Sequence, residues 1–231
     1  MSFGWGVKPT YSSDFSHNKN KKSKGFTLAE VLITLGIIGV VAAITMPTLI
    51  NNYREKATVN KVKKFYSMIS QAYLLSVKDN GHADSWDISS STQLASYFKP
   101  YLKIQKDCNT TSGCLGYTEP VKKLNNTDFD NYDISSSFYK MILMDNSVLL
   151  IRRLDENCNS SAGSYVNIVC GEIFYDINGS KTPNILGKDV FVFLLLSEGV
   201  RTYNYNDCTK SLNGWGCTKY IITNSNMNYL H

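Results

Sequence analysis

The sequence has few histidines and none of the short motifs that mark common enzyme active sites. Three histidines occur in 231 residues, and they lie far apart at His17, His82 and His231. The motif GxSxG, the zinc motif HExxH and a glycine-rich phosphate loop are all absent. A histidine-based catalytic apparatus needs its histidine close to other reactive groups. We therefore expect that the protein is not an enzyme.

A concentrated basic region is missing from most of the chain as well. The formal net charge is +5, but five of the 24 lysines and arginines and one of the 19 acidic residues lie in the first 25 residues. The rest of the chain then has 19 basic and 18 acidic residues, a net charge of about +1. Nucleic-acid-binding domains have clustered basic residues. We therefore expect no nucleic-acid partner.

The most informative segment is the apolar stretch formed by residues 26–50. It is 25 residues long, and Glu30 is its only charged residue. A helix of about 20 apolar residues is long enough to cross the hydrocarbon core of a membrane. This pattern alone is typical of a transmembrane helix or of a secretory signal peptide.

Two features argue against a secretory signal peptide. A secretory leader places its apolar core before the cleavage site, whereas here a basic, polar peptide precedes the apolar segment. In addition, a carboxylate near the end of a membrane helix is costly unless it reaches water or a partner, which makes Glu30 a functional candidate. The lysines of the preceding peptide are Lys8, Lys19, Lys21, Lys22 and Lys24.

The run from Lys24-Gly25-Phe26 to Glu30 resembles the class III signal of type IV pilins and type II secretion pseudopilins. In that family a prepilin peptidase cuts after the glycine and N-methylates the new first residue, which implies processing between Gly25 and Phe26. The family pattern also has glutamate as the fifth mature residue, here Glu30. The resemblance covers residues 24 to about 80. The alternative is an unprocessed membrane anchor that only mimics the signal.

The resemblance implies an assembly role for Glu30 and Phe26. The Glu30 carboxylate would pair with the amino terminus of Phe26 on a neighbouring subunit, and a low effective dielectric would strengthen that attraction. The alternative is a Glu30 close enough to the membrane surface to be hydrated. A helix kink is also expected at Gly39 and Pro47, because proline removes a backbone hydrogen bond. Membrane helices nevertheless tolerate both residue types without a kink.

The pattern of polarity divides the chain into four predicted regions. Residues 1–25 are a leader that is removed, and residues 26–50 are the transmembrane and assembly half of a long helix. Residues 51–80 are its amphipathic half, in which apolar residues recur at helical spacing. Residues 81–231 form an extracytoplasmic domain, with a connecting region at 81–137 and a β-sheet and C-terminal region at 138–231. Lysines before the apolar segment stay on the cytoplasmic side, so the domain is translocated.

The fold class predicted from these elements is α+β and pilin-like, with the long helix packed on an antiparallel sheet. A short helix is predicted at 91–102. Strands are predicted at 138–144 and 147–154, which flank an Asp145-Asn146 hairpin turn, and at 164–177 and 189–196. The alternation of residues 215–222 predicts an edge strand. Its aromatic residues, together with Tyr203, Tyr205 and Tyr229, are either structural or a docking surface.

Six cysteines lie in the part of the chain expected outside the cytoplasm. An even number of cysteines in an oxidising compartment predicts disulfides. The sequential pairing is the simplest of the fifteen connectivities, because the cysteines form three local couples. None of the couples has the CxxC spacing of a redox or zinc site, which disfavours a metal site. The couples are Cys108 and Cys114, Cys158 and Cys170, and Cys208 and Cys217.

The segment after residue 175 resembles a segment found in many pseudopilin-like proteins and has two interpretations. The oxygen-bearing side chains of Asp176, Asn178 and Asp189 are the ligand types that calcium prefers, which would make this a structural calcium loop. The EF-hand pattern is nevertheless incomplete here. Asn178-Gly179 is equally the commonest hairpin turn. No other cofactor is expected.

These observations together predict a structural subunit of a type IV pilus-like or type II secretion pseudopilus filament. The resemblance implies three partners: the prepilin peptidase, an inner-membrane assembly platform, and other pilins in a homo- or heteropolymer. The protein would be a single-pass inner-membrane protein and then part of a filament in the periplasm or at the cell surface. The alternative is a membrane-anchored or filament-tip binding module. The presence of Glu30 favours a structural subunit over a filament-tip module, because tip-type minor pilins of that family often lack this glutamate.

Overall fold

The computed structural model describes residues 25–231. The predicted leader therefore lies outside the described residues, except for Gly25. The chain divides into two compact units, one that ends at Thr48 and one that extends from Leu49 to His231.

The first element, helix α1, spans Leu28–Asn80, close to the predicted helix. Its part within the second unit buries one stripe of side chains at helical spacing, which is the amphipathic pattern expected from the sequence. The helix ends at Gly81, which has a φ of +80° and donates its N–H to the Val77 carbonyl at 2.9 Å. The buried stripe consists of Val59, Val62, Phe65, Ile69, Ala72, Tyr73 and Ser76.

The second unit is built around a seven-stranded antiparallel sheet. The strand order is β1-β4-β5-β7-β8-β9, and β6 pairs with β7. A separate two-stranded sheet consists of β2 and β3. The α+β architecture with a long N-terminal helix and an antiparallel sheet is thus confirmed. The strands are β1 Ile104–Asn109, β2 Val121–Lys122, β3 Asp128–Asp130, β4 Phe138–Leu143, β5 Val148–Arg153, β6 Ser160–Ala162, β7 Tyr165–Asp176, β8 Val190–Leu196 and β9 Gly199–Thr202.

The four strands predicted after residue 137 are all observed, as β4, β5, β7 and β8. The hairpin between β4 and β5 turns at Asp145-Asn146, as predicted. Asn146 takes a left-handed conformation with a φ of +63° and donates its N–H to the Leu143 carbonyl at 2.9 Å. The sequence identified this hairpin because both strands have apolar runs separated by turn residues.

The connecting region differs from the prediction in its helix and in the unpredicted strands β1, β2 and β3. The helix expected at 91–102 is split into α2, which spans Ser91–Ser96, and a 3₁₀ turn at Lys99–Tyr101. Pro100 explains the split, because proline has no N–H to donate to the Ser96 carbonyl and its ring would clash with that carbonyl in a continuous α-helix. The region also contributes β1 to the edge of the sheet, which was not predicted. Its polar sequence has no apolar alternation, and its register on β4 is irregular.

The edge strand predicted at 215–222 is wrong, because these residues begin helix α3, which spans Cys217–Asn224. The helix buries Cys217, Thr218 and Ile221 on one face. The buried Thr218 hydroxyl accepts a hydrogen bond from the Val192 N–H of β8 at 3.1 Å. Over so few residues, an alternation of apolar and polar residues does not distinguish a strand from a short helix.

The sheet separates two apolar cores. On one face, α1, α2 and α3 pack against the sheet, and Phe65 of α1 stacks on Tyr175 of β7 with ring centroids 3.9 Å apart. On the other face, long loops cover a second core that includes Tyr132, Phe138 and Phe174. β8 buries all seven of its residues because it has packing partners on both faces.

Three disulfides close short loops of this unit. They correspond to the sequential pairing of the six cysteines, and they join Cys108 to Cys114, Cys158 to Cys170 and Cys208 to Cys217.

Candidate functional site

The predicted processing site lies just before α1. Gly25, Phe26 and Thr27 have no regular secondary structure, and the Phe26 side chain is 87% exposed. Among the described residues other than its neighbour Phe26, no atom lies within 4 Å of the position that a Cβ would take at Gly25. Exposed, irregular backbone is the form in which proteases accept a chain. Among the described residues, the bond between Gly25 and Phe26 is therefore exposed, while Lys24 lies outside them.

Thr27 and Glu30 form a capping box at the start of α1. The Thr27 N–H donates to Glu30 Oε2 at 2.8 Å, and the Thr27 hydroxyl donates to the same oxygen at 3.0 Å. In return, the Glu30 N–H donates to Thr27 Oγ1 at 3.2 Å. These bonds satisfy backbone groups that have no partner within the helix. This role of Thr27 was not predicted from the sequence, although the spacing T-x-x-E is the recognised signal for it.

The capping box leaves part of the Glu30 carboxylate available. Both hydrogen bonds from Thr27 go to Oε2, and within residues 25–231 no donor contacts Oε1. An ionised carboxylate accepts about four hydrogen bonds. Glu30 is therefore able to stabilise the helix start and to bind a cationic group at the same time.

Beyond this cap, the first unit exposes an almost continuous apolar surface. Among the described residues, α1 is the one helix that is long and apolar enough to cross a membrane, and none of its apolar window is buried. An exposed apolar surface of this extent is typical of a lipid- or protein-binding surface. The exposed large apolar side chains are Leu28, Val31, Leu32, Ile33, Leu35, Ile37, Ile38, Val40, Val41, Ile44 and Met46.

The predicted kink residues lie inside α1. The helix is assigned without interruption through Gly39 and Pro47. Proline has no N–H, so the Ala43 carbonyl lacks the donor that an ordinary residue at position 47 would supply. In the described part of the chain, apart from its neighbours and the backbone of its own helix, no atom lies within 4 Å of a Cβ placed at Gly39. The kink stays a prediction.

The residues of the proposed calcium loop lie at the two ends of the segment between β7 and β8. Asp176 is fully buried, and its Oδ1 accepts hydrogen bonds from the Asn178 and Gly179 N–H groups, each at 3.0 Å. Its Oδ2 accepts a hydrogen bond from the Tyr117 hydroxyl. Asp189 is 6% exposed and accepts a hydrogen bond from the Ile185 N–H. Both carboxyl groups are thus bound to donors of the protein itself.

Burial controls the ionisation of these two carboxyl groups. It raises the pKa of Asp176 to about 7 and that of Asp189 to about 8, and the negative charge of Asp176 raises the pKa of Asp189 further. Asn178 Oδ1 is buried and has no hydrogen-bond partner within residues 25–231. This donor set has the oxygen chemistry that calcium prefers but too few ligands. In the described part of the chain, no group of three or more His, Cys, Asp or Glu residues is placed to hold a metal ion.

The alternative of a two-residue turn at Asn178-Gly179 does not describe this segment, because residues 177–189 separate the two strands. Gly179 has a φ of +63°, and a Cβ at this position would lie 2.7 Å from the Asn146 carbonyl oxygen. A glycine is therefore required here for both conformation and space.

The aromatic residues of the C-terminal region lie in two places. Tyr203 stacks on Tyr205 with ring centroids 5.3 Å apart, and Trp215 lies 5.0 Å from Tyr203. Tyr229 lies elsewhere and packs edge-on against Tyr220 at 5.1 Å. The structure thus brings together three of the five aromatic residues that were grouped in the sequence, and Tyr220 and Tyr229 form the second place.

Comparison with known proteins gives two matches to family models. Residues 48–230 match the model of a family of unknown function (DUF6613). Residues 20–46 match the model of the prokaryotic N-terminal methylation motif, which confirms the resemblance to a type IV pilin-like signal.

One curated relative is similar over a short stretch. Fimbrial protein EcpB of Eikenella corrodens is 47% identical over 47 residues, which are 20% of this chain and 28% of that protein. The match therefore spans less than a third of the length of the relative. No solved structure matches the chain.

Proposed function

This chain belongs to the family of unknown function DUF6613, and from that premise we propose that it is a structural subunit of a type IV pilus-like or type II secretion pseudopilus filament. The observation that supports the proposal is the prepilin-type signal next to an exposed apolar helix. Pilin-type subunits are structural proteins and not enzymes. The subunit would polymerise with copies of itself or with other pilins.

The first step of the proposed function is processing. A prepilin peptidase cuts between Gly25 and Phe26 and methylates the new amino terminus. The exposure of Phe26 and the irregular backbone before Leu28 support this step. Before assembly, residues 26–50 anchor the protein in the inner membrane as a single span, and residues 81–231 lie outside the cytoplasm.

The second step is assembly. The contacts of the apolar surface of α1 with lipid are replaced by contacts with the helices of neighbouring subunits. Glu30 Oε1 pairs with the cationic amino terminus of Phe26 on the adjacent subunit, while Oε2 keeps its hydrogen bonds to Thr27. Contacts between unlike surfaces that do not close into a ring produce an open helical fibre. An inner-membrane platform drives the extraction of the subunit from the membrane into the filament.

Processing is tested by expressing the full chain with and without a prepilin peptidase, then measuring its intact mass and sequencing its amino terminus. We expect a chain that begins at methylated Phe26 only when the peptidase is present. A matched control is Gly25→Val, which should stay uncut because a β-branched side chain replaces the glycine at the cleavage site. A wild-type chain that still begins at Met1 with an active peptidase would contradict the proposal.

A further inference from the structure

A cleft lined by both polar and aromatic side chains lies on the face of the sheet opposite α1. Its volume is about 620 Å³, within the range of small-molecule sites. Arg152 of β5 and Glu172 of β7 are directly paired across neighbouring strands and form its floor. Tyr203, Tyr205 and Trp215 line it from the segments after β9. All of these residues belong to the second unit.

The floor of the cleft is a buried charge network. Arg152 Nε donates to Glu172 Oε2 at 2.8 Å, and Arg152 Nη2 donates to the same oxygen. The Tyr203 hydroxyl donates to Glu172 Oε1. Glu172 is only 3% exposed. Replacing a buried ion pair with an apolar pair of the same shape often leaves a protein equally stable or more stable. The stability of the fold therefore does not by itself explain why charged residues occupy these positions.

The Arg152 guanidinium is held in place and still has donor capacity. It lies over the rings of Phe138 and Phe174, at 5.2 and 5.8 Å from their centroids. Its side chain remains 27% exposed. Within residues 25–231, its Nη1 donates to no protein acceptor. Arg152 therefore presents a fixed, unused donor to the cleft.

The walls are fixed as well. Tyr205 is 41% exposed, yet its hydroxyl accepts a hydrogen bond from the Gly163 N–H at 3.2 Å. The Trp215 and Gly216 N–H groups both donate to the Asp207 carboxylate. Side chains that are ordered before a ligand arrives cost less entropy on binding. The cleft is thus pre-organised.

The chemistry of the lining selects the class of ligand. Arg152 and Glu172 neutralise each other, and Asp207 adds a negative charge, so the cleft does not attract an anion. Asn206 and Asn213 at the rim supply amide donors and acceptors. The faces of aromatic rings are electron-rich and attract polarised C–H groups. We propose that this cleft binds a neutral carbohydrate, whose apolar ring face stacks on Tyr205 or Trp215 while its hydroxyl groups bond to Arg152 and the amides.

A single-stranded nucleic acid also stacks on aromatic side chains, but such sites combine stacking with a positively charged groove. The charge of this cleft favours the carbohydrate. The proposal goes beyond filament assembly and does not depend on it, because the cleft lies entirely within the second unit.

The test is binding of the full chain, purified unpolymerised in a zwitterionic detergent, to an array of neutral glycans and to single-stranded oligothymidylate. Detergents with a sugar headgroup are avoided because they would compete for the cleft. We expect binding to at least one neutral glycan and none to the oligonucleotide. Because the chain is not polymerised, failure here is separate from failure of the filament proposal.

Variants of Tyr205 identify the binding surface. Tyr205→Ala should weaken glycan binding about tenfold or more, as removal of an aromatic anchor does, whereas Tyr205→Phe keeps the ring and should bind nearly normally. Asn206→Ala, at an exposed position, should also weaken binding without a change in folding. Tyr53→Ala is the control, since Tyr53 is a 75% exposed tyrosine outside the cleft.

Three results would overturn the proposal. These are an array without any bound glycan, unchanged binding by both Tyr205→Ala and Asn206→Ala, or preferential binding of the oligonucleotide.

Discussion

The Glu30 carboxylate accepts two hydrogen bonds from Thr27, both through Oε2, at 2.8 and 3.0 Å. The side chain proposed to pair with a neighbouring subunit therefore already stabilises the first turn of its own helix. A simple deletion of Glu30 would remove both functions together. Variants that separate them give the sharper test.

Glu30→Gln separates the helix cap from the charge. Glutamine serves in a capping box as glutamate does, so the helix start should be kept while the negative charge is lost. We expect membrane insertion and cleavage to remain largely intact for Glu30→Gln and Glu30→Ala, and filament yield to fall strongly for both. Yield is measured by shearing filaments from cells and quantifying the subunit.

Thr27→Ala is the reciprocal variant for this charge-pair test. It loses a cap worth about 1 kcal/mol but keeps the carboxylate, so filament yield should fall much less than in Glu30→Gln. A normal yield from Glu30→Gln would count against the charge pair between Glu30 and Phe26.

The stability of the second unit should fall as pH rises from about 4 to about 8. The pKa values of Asp176 and Asp189 in the folded protein, about 7 and about 8, lie above the usual value of 3.8. In this pH range the folded state therefore binds protons that the unfolded state has lost, and stability decreases with pH. The unfolding free energy should decrease by at most about 1.4 kcal/mol per pH unit for each carboxyl group.

Thermal unfolding of the full chain in detergent, followed at several pH values, measures this slope. Asp189→Asn keeps an acceptor for the Ile185 N–H and should reduce the slope. Glu119→Gln, at an exposed position, is the matched control and should leave the slope unchanged. A midpoint that does not decrease between pH 5 and pH 8 would show that these carboxyl groups ionise normally.

Calcium binding by Asp176, Asn178 and Asp189 is tested with the same variant. Near pH 8.5 both carboxyl groups are largely ionised, which is the form that binds calcium. The site nevertheless has too few ligands, so we expect millimolar calcium to leave the unfolding midpoint of the wild type unchanged. An increase that Asp189→Asn abolishes would instead show that calcium binds at this loop, because a ligand of the folded state stabilises it.

The contact between α1 and the sheet should dominate the stability of the second unit. Phe65 is 2% exposed and stacks on Tyr175 at 3.9 Å. Phe65→Ala should therefore cost about 3–5 kcal/mol of unfolding free energy. Leu74→Ala, on an exposed part of the same helix, should change it by less than about 0.5 kcal/mol. Denaturant titration measures both, and equal effects would contradict this packing.

Features that depend only on residues close together in the chain could be predicted from the sequence. The apolar helix needs only its own composition, and the β4–β5 hairpin needs two strands joined by Asp145-Asn146. The sequential disulfides likewise join cysteines that are close in the chain. The cap formed by Thr27 and Glu30 is equally local, and the spacing T-x-x-E that identifies it is present in the sequence.

The tertiary structure alone decided the features that bring distant residues together. It turned the stretch after Gly216 into a helix by packing Thr218 against Val192, and it placed the polar β1 at the sheet edge. It also put Arg152, Glu172 and Tyr203 in one cleft. The physical reason is that burial and charge pairing depend on which strands are neighbours, and strand order results from packing of the whole chain rather than from any local pattern.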